Sequence, residues 1–224
     1  MTMELVNSKV LKVGVQHGQT VTARKGSMLY YKGDVTFTPH SMGGGGGMPG
    51  FSGVAGMAGR MMQGEHVALM VAQGAGEVFY GLEGLYVEII PLDGSSMLTV
   101  EADRLLAYEG HVQTSIVPLT SQGGIRGAVR GAMTGQGMFT TQVSGQGTVA
   151  VLSHGGCFPL QVGGYGGEVV VDPQAYVGHL GNITVDLSAS VGFRDVVGRG
   201  SGEATQLKMS GQGTVWVQAS EKKF

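Results

Sequence analysis

The chain has 224 residues and a formal net charge of −2, and only 13% of its residues are charged. The lack of a strong basic field argues against nucleic acid as a partner, and 42 glycines beside 6 prolines exclude a collagen or a proline-rich linker. Cys157 is the single cysteine, so no intramolecular disulfide can form, and we see neither a secretory signal nor a long apolar run. We therefore expect a cytoplasmic protein.

One sequence block occurs three times along the chain. It reads VTARKGSMLYYKGDVTF over residues 21–37, and it aligns without gaps with residues 98–114 and with residues 169–185. The aligned copies share one glycine position, occupied by Gly33, Gly110 and Gly181. A repeat of this kind indicates one structural unit used three times.

A second block follows the first in every copy. It reads GAGEVFY from Gly74, GQGTVAV from Gly145 and GQGTVWV from Gly211. Since two independent blocks recur in one order, we predict three tandem units over residues 1–92, 93–160 and 161–224. The first unit contains a connector at 41–64.

The local pattern predicts strands throughout, with little helix. Around Trp216, alternating side chains place Val215 and Val217 on one face of a strand and Thr214 on the other. We interpret the repeated glycines as turns or bulges, and we expect those of the first block to have positive φ or to lie where a Cβ atom would clash. These predicted turn glycines are Gly33, Gly110, Gly181, Gly74, Gly76, Gly145, Gly147, Gly211 and Gly213.

The connectors between the blocks are rich in glycine, and the first is also rich in methionine. One interpretation is a flexible surface loop. The other is an adaptable apolar surface that contacts a subunit or a partner. The residues that would form this surface are Met48, Phe51, Val54, Met57, Arg60, Met61 and Met62.

The chain resembles the altered-inheritance-of-mitochondria family in three features. They are the three-fold unit, the motif RMMQGE at the end of the first connector, and the terminal segment GSGEATQLKMSGQGTVWVQ. The resemblance covers about residues 4–219. It implies an all-β fold of three tandem β-sandwich units with pseudo-threefold symmetry, similar to the tryptophan RNA-binding attenuation protein, whose units assemble into rings. The resemblance also implies that three chains would complete a nine-unit ring, and it points to relatives associated with the organisation of the mitochondrial inner membrane.

No sequence motif indicates catalysis, a cofactor or a metal site. The six histidines show no zinc-ligand spacing, and no P-loop is present. His154 and Cys157 are three residues apart, which we interpret as a loop histidine beside an inert thiol rather than a catalytic dyad. Glu65 and Glu203 end two connectors, and we interpret them as turn or subunit contacts.

The sequence therefore favours a non-enzymatic scaffold or binding module that forms a homo-oligomer, either a trimer or a larger closed ring. One alternative is a peripheral factor that organises membranes or membrane proteins through its glycine- and methionine-rich connectors. Another is a binder of a small ligand or RNA at the unit interfaces. Arginines of the connectors could serve RNA binding, namely Arg60, Arg126, Arg130, Arg194 and Arg199.

Overall fold

The structure is a computed structural model that describes residues 3–40, 68–118, 139–189 and 205–221. Most of the described residues lie in strands, which confirms the predicted all-β fold, and two 3-10 helices of a single turn follow β7 and β10. The strands are β1 (Met3–Asn7), β2 (Val10–Val15), β3 (Thr20–Arg24), β4 (Met28–His40), β5 (Leu69–Tyr80), β6 (Tyr86–Asp93), β7 (Leu98–Glu101), β8 (Leu105–Pro118), β9 (Phe139–Ser153), β10 (Cys157–Val162), β11 (Val169–Val171), β12 (Tyr176–Ala189) and β13 (Thr205–Gln218).

These strands form one large antiparallel sheet in which a single pairing scheme recurs. β4 pairs along its length with β5, β8 with β9, and β12 with β13. The second strand of each pair also contacts two short strands on its other edge: β5 contacts β2 and β3, β9 contacts β6 and β7, and β13 contacts β10 and β11. The scheme therefore divides β2–β13 into three successive groups of four strands.

The glycines shared by the repeats lie inside strands, so their interpretation as hairpin turns is wrong. Gly33, Gly110 and Gly181 lie within β4, β8 and β12, whose pairing continues without a register shift on either side of them. Their φ angles are 94°, 98° and 108°, which confirms the expected positive φ. The other six predicted turn glycines lie within β5, β9 and β13.

Gly33, Gly110 and Gly181 each face another glycine across the ladder. Gly110 is paired with Gly147, and a Cβ atom on Gly110 would lie 2.7 Å from both the Gln146 carbonyl oxygen and the Gly147 Cα. Close to this pair β9 also changes its second partner, from β6, which ends with Asp93 opposite Gln146, to β7, which begins with Leu98 opposite Val143. The glycine pair thus allows two long strands to approach closely near the point where β9 exchanges one neighbouring strand for another.

The core consists of three clusters of buried apolar side chains, and adjacent strand groups share them. Leu106 and Leu152 of the second group are fully buried in the cluster of the first group. Val177 and Trp216 of the third group pack in the cluster of the second. Since apolar side chains cross from one group to the next, the groups are packed against each other and do not form separate cores.

The connectors lie outside the described residues. The predicted contact surface between Met48 and Met62, the arginines proposed for RNA, Glu65 and Glu203 all fall there. Within the described strands and short helices, no helix has the length and apolarity that crossing a bilayer requires.

Candidate functional site

Two junctions inside the chain show how one strand group is joined to the next. At the first junction β3 pairs with β8, and at the second junction β7 pairs with β12. The two junctions use the same repeat positions in the same register. The first pairs Val21 with Glu109, Thr22 with Tyr108 and Ala23 with Ala107; the second pairs Leu98 with Leu180, Thr99 with His179 and Val100 with Gly178.

Both junctions are buried. The central residues of the first, Thr22 and Tyr108, are each 6% exposed. Those of the second, Thr99 and His179, are 0% and 1% exposed. Backbone pairing with tightly covered side chains is therefore the way in which this chain joins its repeats.

The chain has two further segments that correspond to the two halves of such a junction. One is β11, the third copy of β3 and β7, which pairs only with β13 within the described chain. The other is the stretch 30–32 of β4, the first copy of the junction segments of β8 and β12, which pairs only with β5 in the same part of the chain. We call these segments the β11 edge and the β4 edge.

Exposure separates the two edges from the internal junctions at equivalent positions. Val170, at the position of Thr22 and Thr99, is 56% exposed. Tyr31, at the position of Tyr108 and His179, is 46% exposed. The repeat positions that are buried at both internal junctions are thus exposed to water at the β11 edge and the β4 edge.

The β4 edge carries a patch of large apolar side chains. Met28, Leu29, Tyr30 and Tyr31 are consecutive, and between 42% and 54% of each is exposed. The Tyr30 ring stacks on Phe79 with 4.2 Å between ring centroids and 10° between planes. Because the stack holds the Tyr30 ring in place, docking at this edge would cost little side-chain entropy at that residue.

Prolines lie on two other strands that pair on one side only within the described chain. Pro91 lies in β6, which pairs with β9, and Pro159 lies in β10, which pairs with β13. A proline on an edge strand removes an N–H donor and so hinders the addition of another strand. The β11 edge and residues 28–32 of β4 contain no proline, and neither does β1, which pairs only with β2 in the described chain. Of these three, the β11 edge and the β4 edge are the ones that correspond to the two halves of an internal junction.

A polar groove of about 440 Å³ accompanies the first junction, and Thr20, Thr22, Tyr108, Glu109 and Gln113 are among the residues that line it. Glu109 is 6% exposed, and burial raises the pKa of its carboxyl group. Nowhere in the described residues do three His, Cys, Asp or Glu side chains come together as metal ligands would.

The second junction contains a buried histidine. The His179 Nδ1 atom lies 2.7 Å from the Tyr176 hydroxyl oxygen, and that hydroxyl group lies 3.4 Å from the Thr99 carbonyl oxygen. Burial lowers the pKa of His179 from 6.5 to about 4. The imidazole is therefore neutral at neutral pH and serves as a hydrogen-bonding group within the junction.

We expect acid to weaken the fold through His179. The unfolded chain takes up a proton on this residue near pH 6.5, whereas the folded chain resists protonation until about pH 4. The stability that depends on neutral His179 is therefore fully present above pH 6.5 and is lost as the pH falls to about 4. The loss lowers the free energy of unfolding by about 3 kcal/mol. Urea unfolding at several pH values would measure this slope, and His179→Gln should reduce it. An equal slope in both proteins would contradict the assignment.

His154 and Cys157, which are three residues apart in sequence, flank the start of β10. The backbone N–H of His154 donates a hydrogen bond to the side-chain oxygen of Gln218 at 2.9 Å. Burial, with a smaller contribution from Glu88, raises the pKa of Cys157 to about 11. The thiol is therefore protonated at neutral pH, and a protonated thiol is a weaker nucleophile than a thiolate.

Sequence reasoning predicted an oligomer but did not locate the two edges. The signal was present in the repeat alignment, because Tyr30 and Tyr31 occupy the positions of Ala107 and Tyr108 in the second copy. The alignment shows that these residues share a position in the repeat, but it does not show that, within the described ranges, β4 has no counterpart of the β3 strand that covers β8.

Comparison with known proteins supports both the fold and the family. The crystal structure of a protein from Streptococcus pyogenes is similar, with a TM-score of 0.71 and 21% sequence identity over 98% of this chain and 93% of that one. At this identity the similarity concerns the fold alone. No curated protein matches the chain. The sequence profile of the family described as mitochondrial biogenesis AIM24 matches residues 3–220, and the chain therefore belongs to that family.

Proposed function

We propose that the protein is a non-enzymatic scaffold whose copies join head to tail, with the β11 edge of one copy pairing with the β4 edge of the next. The observation that carries the proposal is the exposure of Val170 and Tyr31 at positions that are buried at both internal junctions. The register of those junctions predicts the pairs between copies. Val169 would lie opposite Lys32 of the next copy, Val170 opposite Tyr31, and Val171 opposite Tyr30.

Such a contact joins two different surfaces, so every added copy presents the same free β11 edge as the one before it. A heterologous contact of this kind generates a closed ring if the rotation between copies closes, and a filament if it does not. Closure leaves neither the β11 edge nor the β4 edge exposed, so these two edges no longer promote aggregation. We therefore propose a trimer or a larger closed ring in the cytoplasm.

The absence of an enzymatic role is part of the proposal. Several groups with shifted pKa values, namely Tyr80, Glu109, Tyr176 and His179, are buried in the core or at the internal junctions. Burial of this kind accounts for the shifts without a catalytic purpose. The alternatives that depend on the connectors concern residues outside the described ranges, and no contact among the described residues favours them.

A comparison of two lysine variants tests the assembly. Val170 and Val6 are equally exposed, at 56% and 55%, but only Val170 lies on a proposed contact edge. Lysine on an edge strand opposes strand addition. We expect Val170→Lys to dissociate the wild-type assembly, and Val6→Lys to leave it intact.

Light scattering coupled to size exclusion at micromolar concentration measures the result. A wild-type mass equal to the 23.1 kDa of one chain would refute the proposal. A Val170→Lys variant that assembles as well as Val6→Lys would show that copies join elsewhere.

A further inference from the structure

Resting on the head-to-tail contact proposed above, we propose that complementary charge selects the partner edge. Glu168 and Asp172 on the β11 side would meet Lys32 and Lys25 on the β4 side of the next copy. The partner is thus a second copy of this chain, presented in one orientation.

The first pair of positions is defined by an ionic contact across the first junction. Arg24, at the end of β3, donates from Nη1 to the Asp103 carbonyl oxygen at 2.7 Å, and its Nη2 lies 3.7 Å from Asp103 Oδ1. The repeat alignment places Asp172 at the position of Arg24 and the turn 25–27 at that of the 3-10 helix containing Asp103. The position of Asp103 itself is occupied by Gly26, and Lys25 precedes it. At the free edges the acid therefore lies on the β11 side and a base on the β4 side, the reverse of the arrangement at the first junction.

The second pair of positions comes from the groove. Thr20 and Glu109, from opposite sides of the first junction, line it together. Their equivalents at the free edges are Glu168 and Lys32, which carry opposite charges. A contact with the geometry of the first junction would bring this carboxylate close to this ammonium group.

Glu168 is available for such an exchange. In the single chain its carboxylate contacts Lys208 Nζ at 2.8 Å, with the two side chains 56% and 46% exposed. An exposed pair of this kind contributes little, because water and salt screen it. When a second copy covers the β11 edge, a pair with Lys32 would be better shielded from water and correspondingly stronger.

The other internal junction lacks this complementarity. At the equivalent positions of the second junction Glu101 corresponds to Asp172 and Pro173 to Lys25, while Met97 and Leu180 take the positions of the second pair. Among the first junction, the second junction and the pair of free edges, only the free edges place acids on the β11 side and bases on the β4 side. These charges specify the contact between copies and are not a general requirement of the repeat.

The arrangement also disfavours the simplest competing assembly. Exposed strand edges can pair with identical edges about a two-fold axis. Two β11 edges would bring Glu168 and Asp172 close to the same acids, and two β4 edges would bring lysines together. Like charges across a contact are costly, so the charges act against two-fold pairing and leave the head-to-tail contact favoured.

A charge exchange within one chain tests the inference. The variants are Lys32→Glu, Glu168→Lys and the chain that carries both, with Lys9→Glu as a control that matches Lys32→Glu in charge change but lies between β1 and β2 rather than on either edge. We expect each single edge variant to dissociate at a concentration about tenfold higher than the wild type, or more. We expect the double variant to recover most of that loss, and Lys9→Glu to show none.

Mass photometry over a dilution series reads out assembly, and thermal unfolding shows whether each variant is folded. Raising the salt concentration should reduce the difference between the single variants and the wild type. A monomeric wild type would refute the proposed scaffold and this inference together. If the wild type assembles but the single variants assemble equally well, or the double variant is not restored, charge selection is wrong while the head-to-tail contact stands.

Discussion

Replacing Gly110 with alanine is expected to lower the free energy of unfolding by about 4 kcal/mol. The residue has a φ of 98°, which costs an alanine about 1–2 kcal/mol. The added Cβ would also lie 2.7 Å from the Gln146 carbonyl oxygen and from the Gly147 Cα. Both are backbone atoms of the paired strand, so the clash can be relieved only by moving β8 away from β9.

A Gly18→Ala variant separates the cost of backbone strain at positive φ from the cost of the Cβ clash. Gly18 has a φ of 80°, and no heavy atom lies within 4 Å of the position where its Cβ would be. This control carries the backbone strain without the clash, so it should cost about 1–2 kcal/mol. Urea denaturation of both variants gives the comparison. Equal losses would mean that the close approach of the two strands contributes nothing.

The same glycines show what the sequence can and cannot predict. Their recurrence identified the repeat, and the expectation of positive φ at Gly33, Gly110 and Gly181 is correct. Their place in the fold was predicted wrongly, because a glycine with positive φ serves equally well in a turn and at a close crossing of strands. What distinguishes the two is the glycine on the opposite strand, such as Gly76 facing Gly33, and this pairing is not local in sequence.

The β11 edge and the β4 edge could not be identified from the sequence for a related reason. Alternation of side chains indicates which face of a strand is buried, but it does not indicate whether a neighbouring strand covers its edge. Residues 169–171 are three valines, a composition typical of a strand buried on both faces. In the single chain Val170 is nevertheless 56% exposed, because β13 covers one edge of β11 and no strand of the described chain covers the other.

We expect Glu101→Gln to destabilise the fold by about 3–5 kcal/mol, because it removes the negative partner of a buried arginine. Arg104 begins the transition from the 3-10 helix to β8 and is 2% exposed. Its Nε donates to Glu101 Oε2 at 2.9 Å, while its Nη2 has no hydrogen-bond partner among the described residues. Without the carboxylate, the guanidinium charge would stay buried with nothing on Glu101 to balance it.

The matched variant removes the arginine instead. In Arg104→Met the Glu101 carboxylate, whose side chain is 20% exposed, can still be hydrated, and the apolar side chain fills much of the space of the arginine. We expect this change to cost about 1–2 kcal/mol, since a buried ion pair is worth little more than an apolar replacement. The double variant should then be more stable than Glu101→Gln alone. Urea unfolding of the four proteins forms a double-mutant cycle. A Glu101→Gln loss below about 1 kcal/mol would show that the guanidinium group does not depend on this carboxylate.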